Sequence, residues 1–325
     1  MTKPYTQFTE KALTLALAHY NATGEIQDVL LVCFNQHGNP VYHPMIQYRC
    51  DTGNLYQQTI PANRLVKLSP NGQKILLCSF TCDSEDPIEL DYDHVAGQIS
   101  VMHTRNFSAP NLQTVGDSLH TYLTKTFNAP KLQTVNGYIH AGGSKTFDAP
   151  SLQSVGRYLK AESATIFNVP NLQKVGEFLN AKSATSFNAP NLQTVEGYLD
   201  ARSTTIFSAP DLLTVTASLN AKSAKIFYIP KLKTVNGFLN AALARSFLAQ
   251  RLLTVNGNLN VNMAKFFYAP ELQTVGGFLY AKSATTFEAL KLVTVVNRLI
   301  LLPGTMLTAV SNGCPAAVAV MAQTI

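Results

Sequence analysis

Charge is scarce in this chain: Asp, Glu, Lys and Arg make up 14% of its 325 residues and 46% are hydrophobic, so there is ample material for a core. Long apolar runs are missing. The nearest, AAVAVMA at 316–322, falls far short of the ~18 residues a membrane-spanning helix needs, and no span is expected. The N-terminus lacks the apolar stretch of a cleaved signal peptide, because Met1-Thr-Lys-Pro-Tyr leads into a short amphipathic segment. Cysteine is sparse and odd in number. Cys33, Cys50, Cys78, Cys82 and Cys314 have no disulfide-framework spacing, and the Cys78/Cys82 pair has no second pair or His pair to complete a zinc site. Reduced, mostly buried thiols are expected, in a soluble protein that is cytoplasmic or exported without a cleaved signal.

The formal charge of +6 is unevenly spread. Residues 107–306 hold 18 Lys/Arg and 9 Asp/Glu, a net of +9, whereas the remainder holds 7 and 10, a net of −3. Residues 1–90 show no long-range periodicity and predict a small α+β unit. Thr9 is positioned to cap a helix through EKALTLALAHY, with Leu13, Ala16, Leu17 and Tyr20 on its apolar side. Strand-like runs follow at 29–34, 42–50, 55–60, 64–69 and 74–80, most of them separated by Gly, Pro and Asn turn signals. The acidic stretch DSEDPIELDYD at 83–93 reads first as a solvated junction and second as a partner-binding segment.

From about residue 95 a period of twenty takes over. Phe recurs from Phe107 to Phe287, Leu from Leu112 to Leu292, and Val from Val115 to Val295, each without a break. A strict period in this range is the signature of a solenoid, because no single unit can bury its own apolar side chains. Leu199 and Ala201 are two apart, the spacing of a strand, and Glu196-Gly197 before them marks a turn. The opposite side, through Phe207, Pro210, Leu212 and Val215, predicts a 3₁₀-like or extended path. The expected architecture is therefore an α+β N-terminal domain (1–90), a solenoid with one short parallel strand per coil (91–306) and a C-terminal cap (307–325). Pro303 and Gly304 are expected to stop the repeat.

The unit L-x-x-V-x-x-x-L-x-A-x-x-A-x-x-F-x-x-P resembles the leucine-rich repeat, with the Pro-containing return of short, twenty-residue bacterial repeats. Its strand part aligns as Leu199-x-Ala201-x-x-Thr204. The consensus departs from that family at the ladder Asn, replaced by Ala164, Ala184, Thr204, Ala224, Ala244, Ala264 and Ala284, and the next apolar residue is three on rather than two. Ala makes no asparagine ladder, which favours a stacked solenoid over a curved horseshoe. Some bacterial repeat proteins of this size are secreted effectors joined to a ubiquitin-ligase domain with a catalytic Cys; about twenty residues follow the last unit here, so that activity is not carried over.

If Leu199 and Ala201 point inward, residues 198, 200 and 202 point outward. Down the coils these positions form three stripes. One is aromatic (Tyr138, Tyr158, Phe178, Tyr198, Phe238, Phe278), one is hydrogen-bonding (Asn180, Asp200, Asn220, Asn240) and one is basic (Lys182, Arg202, Lys222, Lys282). Stacked rings and stacked Asn stabilise neighbouring strands by roughly 0.2–1 kcal/mol per pair without any ligand. A run of exposed rings bordered by Asn, Asp and cations also has the composition of a protein-binding surface. The expected function is non-enzymatic recognition of a partner protein through this face, the alternative being a polysaccharide or single-stranded nucleic acid stacked along the rings. His120 and His140 fall on adjacent coils, but no third ligand accompanies them, and no metal or other cofactor is expected. The Thr column from Thr114 onward reads as turn-capping hydroxyls. No Ser-His-Asp order, phosphate loop or paired acids point to catalysis.

Overall fold

A computed structural model of the chain describes residues 31–34, 45–49, 55–59, 66–69, 72–76, 79–83, 87–301 and 306–308. Its contacts divide the chain into two compact units, Met1–Arg157 and Tyr158–Ile325. Both are stretches of parallel β-solenoid, and there is no helix among the described residues. The expected helix at 10–20 lies outside them.

One coil explains the rest. In the second unit it runs Thr194–Val195, Leu199–Asp200, Ile206–Ser208, then returns to Thr214–Val215. Each strand joins a separate sheet; the Leu and Val sheets take one strand from each coil, and the Phe strands fall into two ladders. All pairs along the repeat are parallel and shifted by twenty residues, as in Leu199↔Leu219, Val195↔Val215 and Phe207↔Phe227. The Leu-bearing strand is where the sequence places it. The Phe-bearing return takes the extended of the two expected paths, as a strand of three residues.

Two corners are hydrogen-bonded turns. Leu212 N–H donates to the Ala209 carbonyl (3.2 Å), with Pro210 between them, where its fixed φ suits the second turn position. Thr204 N–H donates to the Ala201 carbonyl (3.1 Å). That turn position accepts most residues, which is why Gln250 and Leu290 replace proline without disturbing the path.

Everything that points inward is apolar. Leu199, Ala201, Phe207, Ala209, Leu212 and Val215 are all 0% exposed. Burying a Leu, Val or Phe contributes about 1.5–3 kcal/mol each, so every coil adds its own share to the core. The Phe rings stack coil on coil, with centroids 5.2 Å apart for Phe207–Phe227 and 4.5 Å for Phe267–Phe287. Such pairs add about 0.5–1.5 kcal/mol beyond burial.

In the first unit the strand ladders of the coils extend into the region without a repeat. Strands 31–34, 79–83, 99–102, 119–120 and 139–140 follow one another in parallel on the Leu side. Lys74–Leu76 pairs in parallel with His94–Val95 and antiparallel with Val66–Leu68, and Met45–Arg49 forms an antiparallel hairpin with Leu55–Thr59. The acidic stretch is a second correction. Ile88–Glu89 pairs with Phe107–Ser108, Leu90 is buried, and Asp93 Oδ2 accepts the Lys74 N–H (2.8 Å), so it opens the Phe sheet instead of forming a solvated junction. The repeat also continues past Pro303 and Gly304: Met306–Thr308 pairs with Thr286–Glu288, placing Leu307 opposite Phe287. The proposed cap beyond 308 lies outside the described residues.

The position of the leucine-rich-repeat Asn holds small buried side chains. In the first unit Thr124 Oγ1 bonds the Thr121 carbonyl (2.8 Å) and lies 2.9 Å from Ser144 Oγ. In the second unit it is Ala except at Thr204, whose hydroxyl donates to the Ile206 carbonyl (2.9 Å). The Phe sheet is interrupted at this coil: one ladder ends at Ser186–Asn188 and another begins at Ile206–Ser208. Phe187 beside the gap is 9% exposed, and its ring is tilted 29° against Phe207. The Thr column lies on strands rather than turns, with Thr274 Oγ1 donating to Thr254 Oγ1 (3.2 Å).

Candidate functional site

The strand Leu199–Asp200 shows how the outer face of the Leu sheet is built. Leu199 N–H donates to the Ser218 carbonyl (2.9 Å) and Ala201 N–H to the Asn220 carbonyl (2.8 Å), so the backbone is fixed to the next coil. The pleat then sends Leu199 and Ala201 inward and residues 198, 200 and 202 outward.

Tyr158, Phe178 and Tyr198 form a ladder of parallel rings. Centroids are 4.7 Å apart for both pairs, with interplanar angles of 2° and 5°. Rings held this way present their edges to water and their faces to one another. The ladder stops at Ser218, whose Oγ accepts the Phe238 N–H (3.2 Å). Asn258 Oδ1 does the same for Phe278 N–H (2.8 Å). Phe238, 43% exposed, therefore stands alone between two polar residues, while Phe278 stacks on Tyr280 of its own strand at 5.4 Å. Tyr138 belongs to the first unit, where the Arg157 guanidinium carbon lies 6.0 Å from its ring centre.

The hydrogen-bonding stripe has a local use that sequence reading missed. Asn180, Asp200, Asn220 and Asn240 each accept, through Oδ1, the backbone N–H two residues on, at 3.2, 3.2, 3.3 and 3.1 Å. This is the turn-forming habit of Asn and Asp side chains, placed where each strand ends. The recurring Asn one residue after the strand Leu was the available signal. Asn180 and Asp200 are buried beneath their neighbours.

The basic stripe divides in two. Arg202 is forked onto Asp200, its Nε 3.0 Å from both carboxylate oxygens and its Nη2 in contact with Oδ2. That hydrogen bond raises the Arg202 pKa and ties its charge to the protein. Lys182 and Lys160 flank Glu162 at 3.3 and 3.5 Å; burial raises the Glu162 carboxyl, but the two ammonium groups together outweigh it and its pKa is lowered. Lys222 and Lys282 are exposed and have no ion pair among the described residues. The Tyr198 hydroxyl has its pKa raised, first by burial, while a bond to Asn180 works the other way. Tyr198, Asn180, Asp200, Arg202 and Glu162 therefore behave as one electrostatic group.

In the first unit His120 and His140 stack face to face, 5.0 Å apart with planes 6° from parallel, and Tyr122 packs 4.8 Å from His140. Burial lowers the His120 pKa. Among the described residues no three His, Cys, Asp or Glu side chains come together as metal ligands would. Compared with family models, with curated proteins and with solved structures, the chain matches none.

Proposed function

We propose that the chain is a non-enzymatic binding protein that recognises a partner protein through the outer face of the Leu sheet. The observation that carries this reading is the half-exposed Tyr158–Phe178–Tyr198 ladder, with Phe238 exposed beyond its end. A rigid row of rings loses little conformational freedom on contact, and aromatic residues are over-represented among side chains that dominate protein interfaces. Lys222 and Lys282 are the cations free to steer a partner, since Lys182 and Arg202 are held by carboxylates.

The stacking favours a protein over a polysaccharide or single-stranded nucleic acid. Sugars and bases need open ring faces, and inside this ladder the faces are already used on one another. Kinship with short bacterial leucine-rich repeats, argued from the Leu, Val and Pro spacing of the unit, belongs to the proposal, as does a cytoplasmic or exported location.

The test replaces Tyr158, Phe178 and Tyr198 together by Ser in the full chain, with circular dichroism as the folding control. Affinity capture followed by cross-linking should lose the wild-type partner, with cross-links at Lys222 disappearing together with it. An unchanged set of captured proteins in a folded variant would remove the ladder from the function.

A further inference from the structure

The outer surface of the Phe sheet in the second unit carries a feature that the partner-binding reading does not use. Between Asp211 and Glu271 the sequence has no carboxylate side chain but seven Lys or Arg. Three of them, Lys225, Arg245 and Lys265, occupy the same corner position in successive coils. Arg245 N–H donates to the Lys225 carbonyl (2.7 Å) and Lys265 N–H to the Arg245 carbonyl (3.0 Å), which fixes the cations in a column one coil, about 4.8 Å, apart. All three are exposed, and none has an ion pair among the described residues. Three other surface lysines of this unit are paired: Lys174 with Glu196 (2.7 Å), Lys231 with Asp211 (2.6 Å) and Lys291 with Glu271 (2.7 Å). A column of like charges without counter-ions repels itself, so its carboxylates have been omitted at a cost.

Beside the column stand exposed apolar side chains. Ile226 and Phe266 are 46% and 38% exposed, and each is followed by a Phe turned fully inward, so the strand holds them outward. On the turns just before Arg245 and Lys265, Leu243 and Met263 are 46% and 49% exposed. Three of these four side chains, Ile226, Leu243 and Met263, have no flat face on which a base could stack, which disfavours nucleic acid. Lys is depleted at the centres of protein interfaces, which disfavours a protein partner. Cations interleaved with protruding aliphatic and aromatic groups match an anionic bilayer, where the charges meet lipid headgroups and the apolar groups enter the boundary region.

We propose that this face, with Lys225, Arg245 and Lys265 bordered by Ile226, Leu243, Met263 and Phe266, is a peripheral docking surface for anionic lipid bilayers. It is independent of the ladder on the Leu sheet.

Co-sedimentation of the full chain with vesicles tests it. Binding is expected to vesicles of phosphatidylcholine mixed with phosphatidylserine, not to phosphatidylcholine alone, and to weaken as salt is added. Each cation is worth about fivefold in affinity, so Lys225→Gln, Arg245→Gln and Lys265→Gln together should reduce binding about a hundredfold. Ile226→Ser with Phe266→Ser should weaken it severalfold while leaving circular dichroism unchanged. The ladder variant with three serines should bind vesicles like the wild type. The proposal fails if the wild type ignores phosphatidylserine vesicles, if it binds a single-stranded oligonucleotide more tightly than those vesicles, or if the folded Ile226/Phe266 variant binds them undiminished.

Discussion

At the scale of single residues, the outward positions serve the coil and its surroundings together. Asp200 closes its own turn, holds Arg202 and acts electrostatically on the Tyr198 hydroxyl, so its contribution cannot be assigned to any one neighbour. The break residues Ser218 and Asn258 depend on glycine in the following coil. A Cβ at Gly237 would lie 2.3 Å from Ser218 Oγ, whereas one at Gly276 would lie 2.1 Å from the Asn256 carbonyl oxygen. A side chain can turn away; a backbone carbonyl held in a ladder cannot. Gly276→Ala and Gly237→Ala are both expected to cost about 1–3 kcal/mol in denaturant unfolding. Adding Ser218→Ala should recover part of the loss at Gly237 and nothing at Gly276, a difference that a double-mutant comparison resolves.

At the scale of the strand and sheet, Thr204 accounts for the gap in the Phe ladder. Its hydroxyl engages the Ile206 carbonyl, and the ladder breaks between Asn188 and Ile206. Removing a satisfied buried hydroxyl normally costs about 1 kcal/mol. Thr204→Ala should instead leave the melting temperature unchanged or raise it, because the carbonyl becomes available to the neighbouring strand and Phe187 can close over Phe207. A loss of the usual size would mean that Thr204 is not what interrupts the sheet. The Leu, Val and Phe columns were legible in the sequence, since a residue repeated every twenty positions must stack on itself. The Phe return was legible only as one of two paths, 3₁₀-like or extended, because three residues with one inward position show no alternation to read. The acidic stretch misled for a related reason, because its charges hid the inward Leu90. The aromatic stripe was legible as a stripe, but the choice between ring faces and ring edges depends on side-chain rotation, which spacing does not encode. The turn-closing use of Asn was concealed because the same side chain suits a ligand equally well.

At the scale of the molecule, the repeat is built from one coil whose strands pair with those of the coils before and after it. Stability in such a system is a sum over coils and their interfaces. Deleting residues 219–238 joins Ser218 to Leu239 with every column still in register, so this variant is expected to fold, keep its β circular dichroism and unfold cooperatively at a slightly lower midpoint. Deleting residues 219–228 alone would set Gly237 against Phe207 and Arg245 against Val215 at the junction, and that variant is expected to be unfolded or aggregated. The uniform shift also bears on heredity. Slippage that adds or removes a whole coil's worth of coding sequence leaves a foldable product, so this chain can be lengthened or shortened by copying errors that would ruin most proteins. Its reach is a quantity that selection can tune in steps.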